Sequence, residues 1–314
     1  MEVKKIATRD SYGNTLVELG KIMPELVVLD ADLAKATKTE IFKKAFPERF
    51  IDCGIAESNM MSVAAGLAST GKIVFASSFA MFATGRAFEQ IRNSIGSDMN
   101  VKIAASHAGI SVGEDGSSHQ CCEDIGLMRL IPGMTIINPA DDIEAKQAVT
   151  AAAKYNGPVY LRFGRLAVPV IFDENYKFEI GKGVNLKDGN DVTIIATGLM
   201  VSPALEAADI LKQEGINARI INMATIKPID KEIVIKAAKE TGAIITTEEH
   251  NIIGGLGSAV CEVVAENYPV PVIRHGIEDV FGFSGPALEL LEEFNLNAKT
   301  IAQKAKSIIL KKAK

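Results

Sequence analysis

Tryptophan is absent from this sequence, and aromatic residues make up only 6% of its 314 positions, against 47% hydrophobic residues. The core must therefore be aliphatic. Cysteine is scarce too. Cys53, Cys121, Cys122 and Cys261 form no Cys-x-x-Cys pair, and the adjacent Cys121 and Cys122 are poor partners for a structural disulfide. That excludes a zinc site and a disulfide scaffold, and reads as reduced thiols in a cytoplasmic protein. Charge of one sign is not in excess: 34 basic and 39 acidic residues are interspersed, for a net charge of −5. This excludes a nucleic-acid surface and a polybasic membrane anchor. No uninterrupted apolar run reaches membrane-spanning length. The start, Met1-Glu2-Val3-Lys4-Lys5, has no apolar signal-peptide region. Internal repeats and low-complexity segments are also missing.

What is present is an alternation of strand-like and helix-like segments over a length that suits two domains. Asp10 to Gly20 reads as a helix and Leu26 to Asp30 as a buried strand. Thr37 to Phe46 is a second helix, Phe50 to Cys53 a buried strand, and Met61 to Leu67 a helix. Lys72 to Ala76, Val101 to Ser106, Thr135 to Asn138 and Pro158 to Arg162 read as further strands. Phe79 to Ile95 and Asp141 to Ala153 read as the helices among them. Such spacing predicts βαβ units and a mainly parallel sheet. Composition shifts over Phe172 to Gly189, which is rich in charge and glycine. The expected organisation is a first α/β domain over 1–175, a linker over 176–188 and a second, smaller α/β domain over 189–314. The second domain opens with the strand Val192 to Ala196, followed by a helix that starts at Ser202 as its cap and Pro203. Asn217 to Asn222, Ala243 to Thr247 and Val270 to Arg274 are its other strands. Asp230 to Glu240, Ser258 to Glu266 and Asn297 to Leu310 are its other helices.

Four groups of residues fall where strands of the first domain end, which is where open α/β sheets bind ligands. Gly54-Ile55-Ala56-Glu57-Ser58-Asn59-Met60 places Glu57 between a strand and an apolar helix. A carboxylate there must find a hydrogen-bond partner or keep its proton, although a helix dipole alone also favours an acid at that position. Phe79 and Phe82 lie one helical turn apart, a spacing shared by ligand stacking and by core packing. His107 follows the Val101 strand, where a structural histidine is the plainer reading. Gly113-Glu114-Asp115-Gly116-Ser117-Ser118-His119-Gln120 is either a solvated turn or a loop on which Asp115 and His119 converge on one polar ligand.

Taken together, these segments resemble transketolase. Gly-Ile-Ala-Glu-Ser-Asn-Met, Phe-x-x-Phe, Ser106-His107 and Gly-Glu-Asp-Gly-Ser-Ser-His-Gln follow the order and spacing of its pyrimidine-binding domain. The second half is similar to its C-terminal domain. The resemblance there rests on Val192 to Gly198, Asn222-Met223-Ala224-Thr225-Ile226-Lys227-Pro228-Ile229-Asp230, and Glu248-Glu249-His250 with Gly254-Gly255-Leu256-Gly257. The resemblance implies a two-carbon ketol transfer of the pentose phosphate pathway, from a ketose phosphate to an aldose phosphate, with thiamine diphosphate as coenzyme. It implies that Glu57 exchanges a proton with ring nitrogen N1′ of the aminopyrimidine, and that Phe79 and Phe82 supply the apolar face against that ring. Asp32 lies near the coenzyme by the same resemblance. Asp115 would accept a hydrogen bond from a donor hydroxyl, and His119 would steady the oxygen that develops charge. His107 and an arginine would hold the sugar phosphate. Arg162, at the strand end, is the preferred arginine and Arg165 its substitute.

Two positions depart from the family pattern. Gly85 stands where many members carry a third aromatic, and Ala36 stands where a phosphate-contacting serine is common, so that Lys35 or Thr37 would substitute. One motif is missing: the family binds diphosphate and metal through Gly-Asp-Gly with a downstream Asn, and no Gly-Asp-Gly occurs here. The expectation is a split enzyme. This chain is the C-terminal section and holds no metal itself. A separate N-terminal section binds the diphosphate with Mg²⁺ or Ca²⁺, and two copies of each chain form α2β2. The rival readings are the β subunit of the E1 component of a 2-oxoacid dehydrogenase, a 1-deoxyxylulose-5-phosphate synthase-like fragment, and a non-catalytic regulatory subunit. The first should lack the sugar loop. The second fits His107 less well. The third does not account for Glu57, Asp115 and His119 together.

Overall fold

A computed structural model describes residues 4–96 and 98–312; Met1-Glu2-Val3, cited above for the N-terminal reading, lies outside them. The first half runs β1 (Lys5–Ala7), α1 (Thr8–Ile22), β2 (Leu26–Asp30), α2 (Ala34–Thr37), α3 (Glu40–Ala45), β3 (Phe50–Asp52), α4 (Glu57–Ser69) and β4 (Ile73–Phe79). It continues through α5 (Phe88–Gln90), β5 (Val101–Ser106), α6 (Asp124–Arg129), β6 (Thr135–Ile137), α7 (Asp142–Lys154), β7 (Val159–Arg162) and β8 (Ala167–Pro169). The second half runs β9 (Val184–Lys187), β10 (Val192–Ala196), α8 (Val201–Gln213), β11 (Ala218–Asn222), β12 (Thr225–Lys227) and α9 (Lys231–Thr241). It ends with β13 (Ile244–Asn251), α10 (Leu256–Asn267), β14 (Val272–Ile277), α11 (Ala287–Glu293) and α12 (Ala298–Ile309).

The larger sheet has the order β12-β6-β7-β5-β4-β2-β3 and is parallel except for β12. The smaller has the order β14-β13-β10-β11-β9 and is parallel except for β9. This is the expected α/β class with two mainly parallel sheets. Its apolar strands, such as Leu26–Asp30 and Val192–Ala196, are buried along their whole length because helices cover both sheet faces. The halves are not independent. β12, from the second half, pairs antiparallel with β6 and so extends the first sheet. No helix of the described residues is long and apolar enough to cross a membrane.

Six sequence expectations change. The Phe50 strand is not buried: β3 is the open edge of its sheet, and Ile51 is exposed. The Thr37–Phe46 helix is split between α2 and α3 by Lys38, which adopts a left-handed φ of 71°. β4 runs on to Phe79, because Ser77 and Ser78 are buried strand residues with partners of their own, Tyr12 Oη at 2.7 Å and Glu57. Phe79 therefore ends a strand, and the long Phe79–Ile95 helix is replaced by wide π-type turns over Met81–Arg86 and Ile91–Ile95 around α5. α8 begins at Val201, so Ser202 lies inside its first turn and does not cap it. Val184–Lys187, expected within the linker, is the edge strand of the second sheet.

Candidate active site

The carboxyl ends of β2, β4, β5 and β7 point to one side of the larger sheet, and the segments that follow them carry the candidate residues. After β2, the buried Asp30 carboxylate accepts from the Leu33 amide at 2.6 Å, Thr37 Oγ1 at 2.7 Å and Thr39 Oγ1 at 2.8 Å. Burial pushes its pKa up to about 6 against those hydrogen bonds. This knot shapes the turn that bears Asp32, whose φ is 61°. Thr37 is fully committed to it, which removes Thr37 as the substitute for a serine at Ala36.

Glu57 is the first residue of α4 and only 1% exposed. Its Oε2 accepts from Arg86 Nη1 at 2.7 Å, and Ser78 Oγ donates to Oε1 at 3.4 Å. Arg86 is half exposed, and its guanidinium lies 4.6 Å over the Phe82 ring. Phe79 and Phe82 stack at 5.9 Å although they share no helix face. His107 stacks on Phe79 at 3.8 Å, and His119 meets Phe82 edge-on at 5.1 Å. The structure thus joins Glu57, Phe79, Phe82, His107 and His119 through direct ring contacts and Arg86. Asp115 and Asp32 are exposed, and among the described residues neither side chain bonds to this group. Beside Gly85, Met81 Cε occupies the space: a β-carbon there would fall 2.2 Å from it.

His107 holds a φ of 57°, unusual for a non-glycine residue and frequent where side chains are aimed at a function. Arg9 Nη1 lies 2.9 Å from its Nε2, so Nε2 accepts, the proton sits on Nδ1, and Nδ1 donates to Ser106 Oγ at 2.8 Å. Burial, then the charges of Arg9 and Arg165, push the His107 pKa down from 6.5 to about 3. The native imidazole is therefore neutral, whereas the unfolded one gains its proton below pH 6.5. The stability it contributes is complete above pH 6.5 and is lost as pH falls from there toward 3. The ring resonances of His107, followed by NMR, are expected to show no titration between pH 5 and pH 8. A midpoint in that range would mean that the ring is not buried against Arg9 as described.

The arginines divide differently from the expectation. Arg162 is buried, and its Nε and Nη2 bind Asp124 at 2.7 and 3.2 Å, while Nη2 also reaches the carbonyl of Glu249 at 2.9 Å. Burial opposes both charges, yet the pair holds Asp124 below the usual carboxylate range and Arg162 above its own. Its Nε and Nη2 are committed to Asp124 and to backbone carbonyls, which leaves only Nη1 without a hydrogen bond among the described residues. Arg165 is partly exposed and held by the Val112 carbonyl and by Glu114 at 3.2 Å. Arg9 was not anticipated. Its signal was available in the sequence, since a basic residue in the first turn of α1 opposes the helix dipole. Arg86 gave no comparable signal.

Residues 4–170 match the family description "Transketolase, pyrimidine binding domain", and residues 181–301 match "Transketolase, C-terminal domain". The chain belongs to the transketolase family. It is 56% identical over 300 residues, 94% of each chain, to a protein of Methanocaldococcus jannaschii named as a transketolase C-terminal section. It is 40% identical to transketolase of Homo sapiens over 98% of its own length but 50% of the human chain. A split-gene transketolase solved as an inactive β4 tetramer superposes with a TM-score of 0.91 at 52% identity, covering 99% of this chain and 100% of that one. The chain is thus a split transketolase-type subunit, and the rival family readings are less supported. Thiamine diphosphate dependence goes with the family.

Proposed function

We propose that this chain supplies the aminopyrimidine and sugar-binding half of a transketolase active site, and that a separate N-terminal section supplies the diphosphate and metal half. The observation that carries this is the buried Glu57 carboxylate beside the stacked Phe79 and Phe82 rings, a carboxylate-plus-aromatic surface that fits an aminopyrimidine. Thiamine diphosphate, when bound, supplies the carbon nucleophile that carries the two-carbon ketol unit from a ketose phosphate to an aldose phosphate. Glu57 holds a proton at the N1′ nitrogen of the pyrimidine, and Arg86 and Ser78 fix its orientation. Phe79 and Phe82 exclude water, which strengthens that hydrogen bond. His119, edge-on to both rings, steadies the substrate oxygen, and Asp115 accepts from a substrate hydroxyl. His107, Arg9 and Arg165 hold the phosphate. Guanidinium suits it because planar donors bind two oxygens at once. Asp32 and Lys35 complete the edge of the site.

The partner reading is supported by the exposed Ile55, 77% accessible, and the open edge strand β3, both immediately before Glu57. It is further supported by the relative solved as an inactive assembly of β chains. We place the metal, Mg²⁺ or Ca²⁺, on the partner, the assembly at α2β2, and the enzyme in the cytoplasm, in keeping with four unbonded cysteines. The boundary between the two domains of this chain falls within residues 171–183, ahead of β9. The test is to purify the chain alone and together with the N-terminal section from the same genome. Ketol transfer with thiamine diphosphate and Mg²⁺ is expected only from the pair, with a mass of two copies of each chain. Full activity from the isolated chain would overturn the split-site proposal, and decarboxylation of a 2-oxoacid in place of ketol transfer would favour the dehydrogenase reading.

A further inference from the structure

Three contacts from the second half of the chain converge on the loop that carries Asp115 and His119. Glu249, in β13, is 3% exposed, and its Oε1 accepts from the Ser111 amide at 2.6 Å. Its carboxylate lies so close to Gly109, whose φ is 85°, that a β-carbon there would fall 2.3 Å from Glu249 Cδ. At the far end of the loop, Gln120 Nε2 donates to the Phe283 carbonyl at 2.9 Å, and Ser284 Oγ donates to the Glu114 carbonyl. Glu249 is in turn fixed by Arg162 Nη2, which donates to its backbone carbonyl, and Arg162 is fixed by Asp124.

Burial raises the Glu249 pKa against the attraction of Arg162 and the Ser111 hydrogen bond, and a carboxylate kept at that cost beside the loop suits a position that matters. A charge-assisted hydrogen bond is shorter and stiffer than a neutral one, which suits a positioning role. The loop closes short turns on itself, Gly113 to Ile110, Gly116 to Gly113 and His119 and Gln120 to Gly116, but its three glycines at positive φ, Gly109, Gly113 and Gly116, leave the placement of those turns to contacts from outside.

We propose that Glu249 is a positioning residue: by anchoring Ser111 it fixes the loop of Asp115 and His119, so that the second domain sets sugar binding without touching the sugar. The sugar-binding part of this inference rests on the proposed function; the anchoring part does not. The experiment uses the assembled enzyme with its N-terminal section and compares Glu249→Ala, Glu249→Gln and Ser284→Ala. Hydrogen–deuterium exchange over residues 109–120 reads the anchoring without any turnover, and KM for the ketose phosphate against Kd for thiamine diphosphate reads its consequence.

For Glu249→Ala, loss of one charged hydrogen bond is expected to speed loop exchange and raise the sugar KM by about tenfold or more, with the coenzyme Kd within about twofold. Glu249→Gln keeps an oxygen acceptor of the same shape but not the charge, and restores most of both. Ser284→Ala gives a smaller change in the same segment. Unchanged loop exchange in Glu249→Ala overturns the proposal, as does an equal loss of sugar and coenzyme binding. If Glu249→Ala does not fold, Ser284→Ala decides: faster loop exchange with a raised sugar KM supports the proposal, and no change in either overturns it. Absence of turnover from the unmodified pair would instead sink the ketol-transfer reading and leave the exchange result standing.

Discussion

Glu57→Ala in the assembled enzyme is expected to lower kcat by about 10²–10⁴-fold, the usual contribution of a positioned proton carrier. The fold should survive. Arg86 is half exposed and regains water when its partner is lost, so the cost is one hydrogen bond to a charged group, about 2 kcal/mol or less. The more telling variant is Glu57→Gln. It preserves volume and can still accept from Arg86, but it carries no transferable proton. Thiamine diphosphate binding should be largely retained while turnover falls nearly as far as in the alanine variant. The measurements are kcat, coenzyme Kd by fluorescence quenching, and circular dichroism to verify folding. More than a tenth of wild-type kcat in Glu57→Gln would rule out the proton-holding role and leave Glu57 as a structural acid at a helix start.

The second large effect separates the two arginines that the sequence left as alternatives. Arg162→Ala leaves the Asp124 carboxylate in a fully buried setting without its counter-charge, with Tyr160 Oη, which donates to it at 2.6 Å, as the remaining side-chain donor. Breaking such a pair by removing one partner costs about 3–5 kcal/mol, because an uncompensated charge stays behind. That is a large share of the stability of an ordinary domain, so the variant is expected to unfold at markedly lower denaturant concentration or to be recovered poorly. Arg165→Ala should leave the unfolding midpoint nearly unchanged and raise KM for phosphorylated sugars by about tenfold or more, the loss of one hydrogen bond between charged groups. Kinetics with an unphosphorylated donor should be almost indifferent to it. A stable Arg162→Ala with a raised sugar-phosphate KM, beside a silent Arg165→Ala, would reverse the assignment.

The same pair of residues shows where sequence reasoning runs out. Arg162 ends the buried strand β7, and Arg165 lies three positions on. Which one is tied up in the interior depends on Asp124 and on the Glu249 carbonyl, groups brought there by separate elements. Arg9 shows the converse: its position against the dipole of α1 was legible, but its partner, His107, is 98 residues away. Gly85 has a neighbour that the sequence does not announce, the terminal methyl of Met81.

Sequence alone determined the α/β class, the succession of most strands and helices, and the family, because those follow from hydrophobic period, capping residues and ordered local motifs. It also marked Glu57, Phe79, Phe82, His107 and His119 as members of one site. Tertiary structure decided how they meet. The extension of β4 through Ser77 and Ser78 moved Phe79 from a helix to a strand end. The π-type turns after it carried Arg86 onto Glu57. The addition of β12 to the first sheet tied the two halves together, and β13 set Glu249 under the loop that carries Asp115 and His119. Each of these depends on a contact between residues far apart in the chain, where the energy of burial and pairing outweighs local preference.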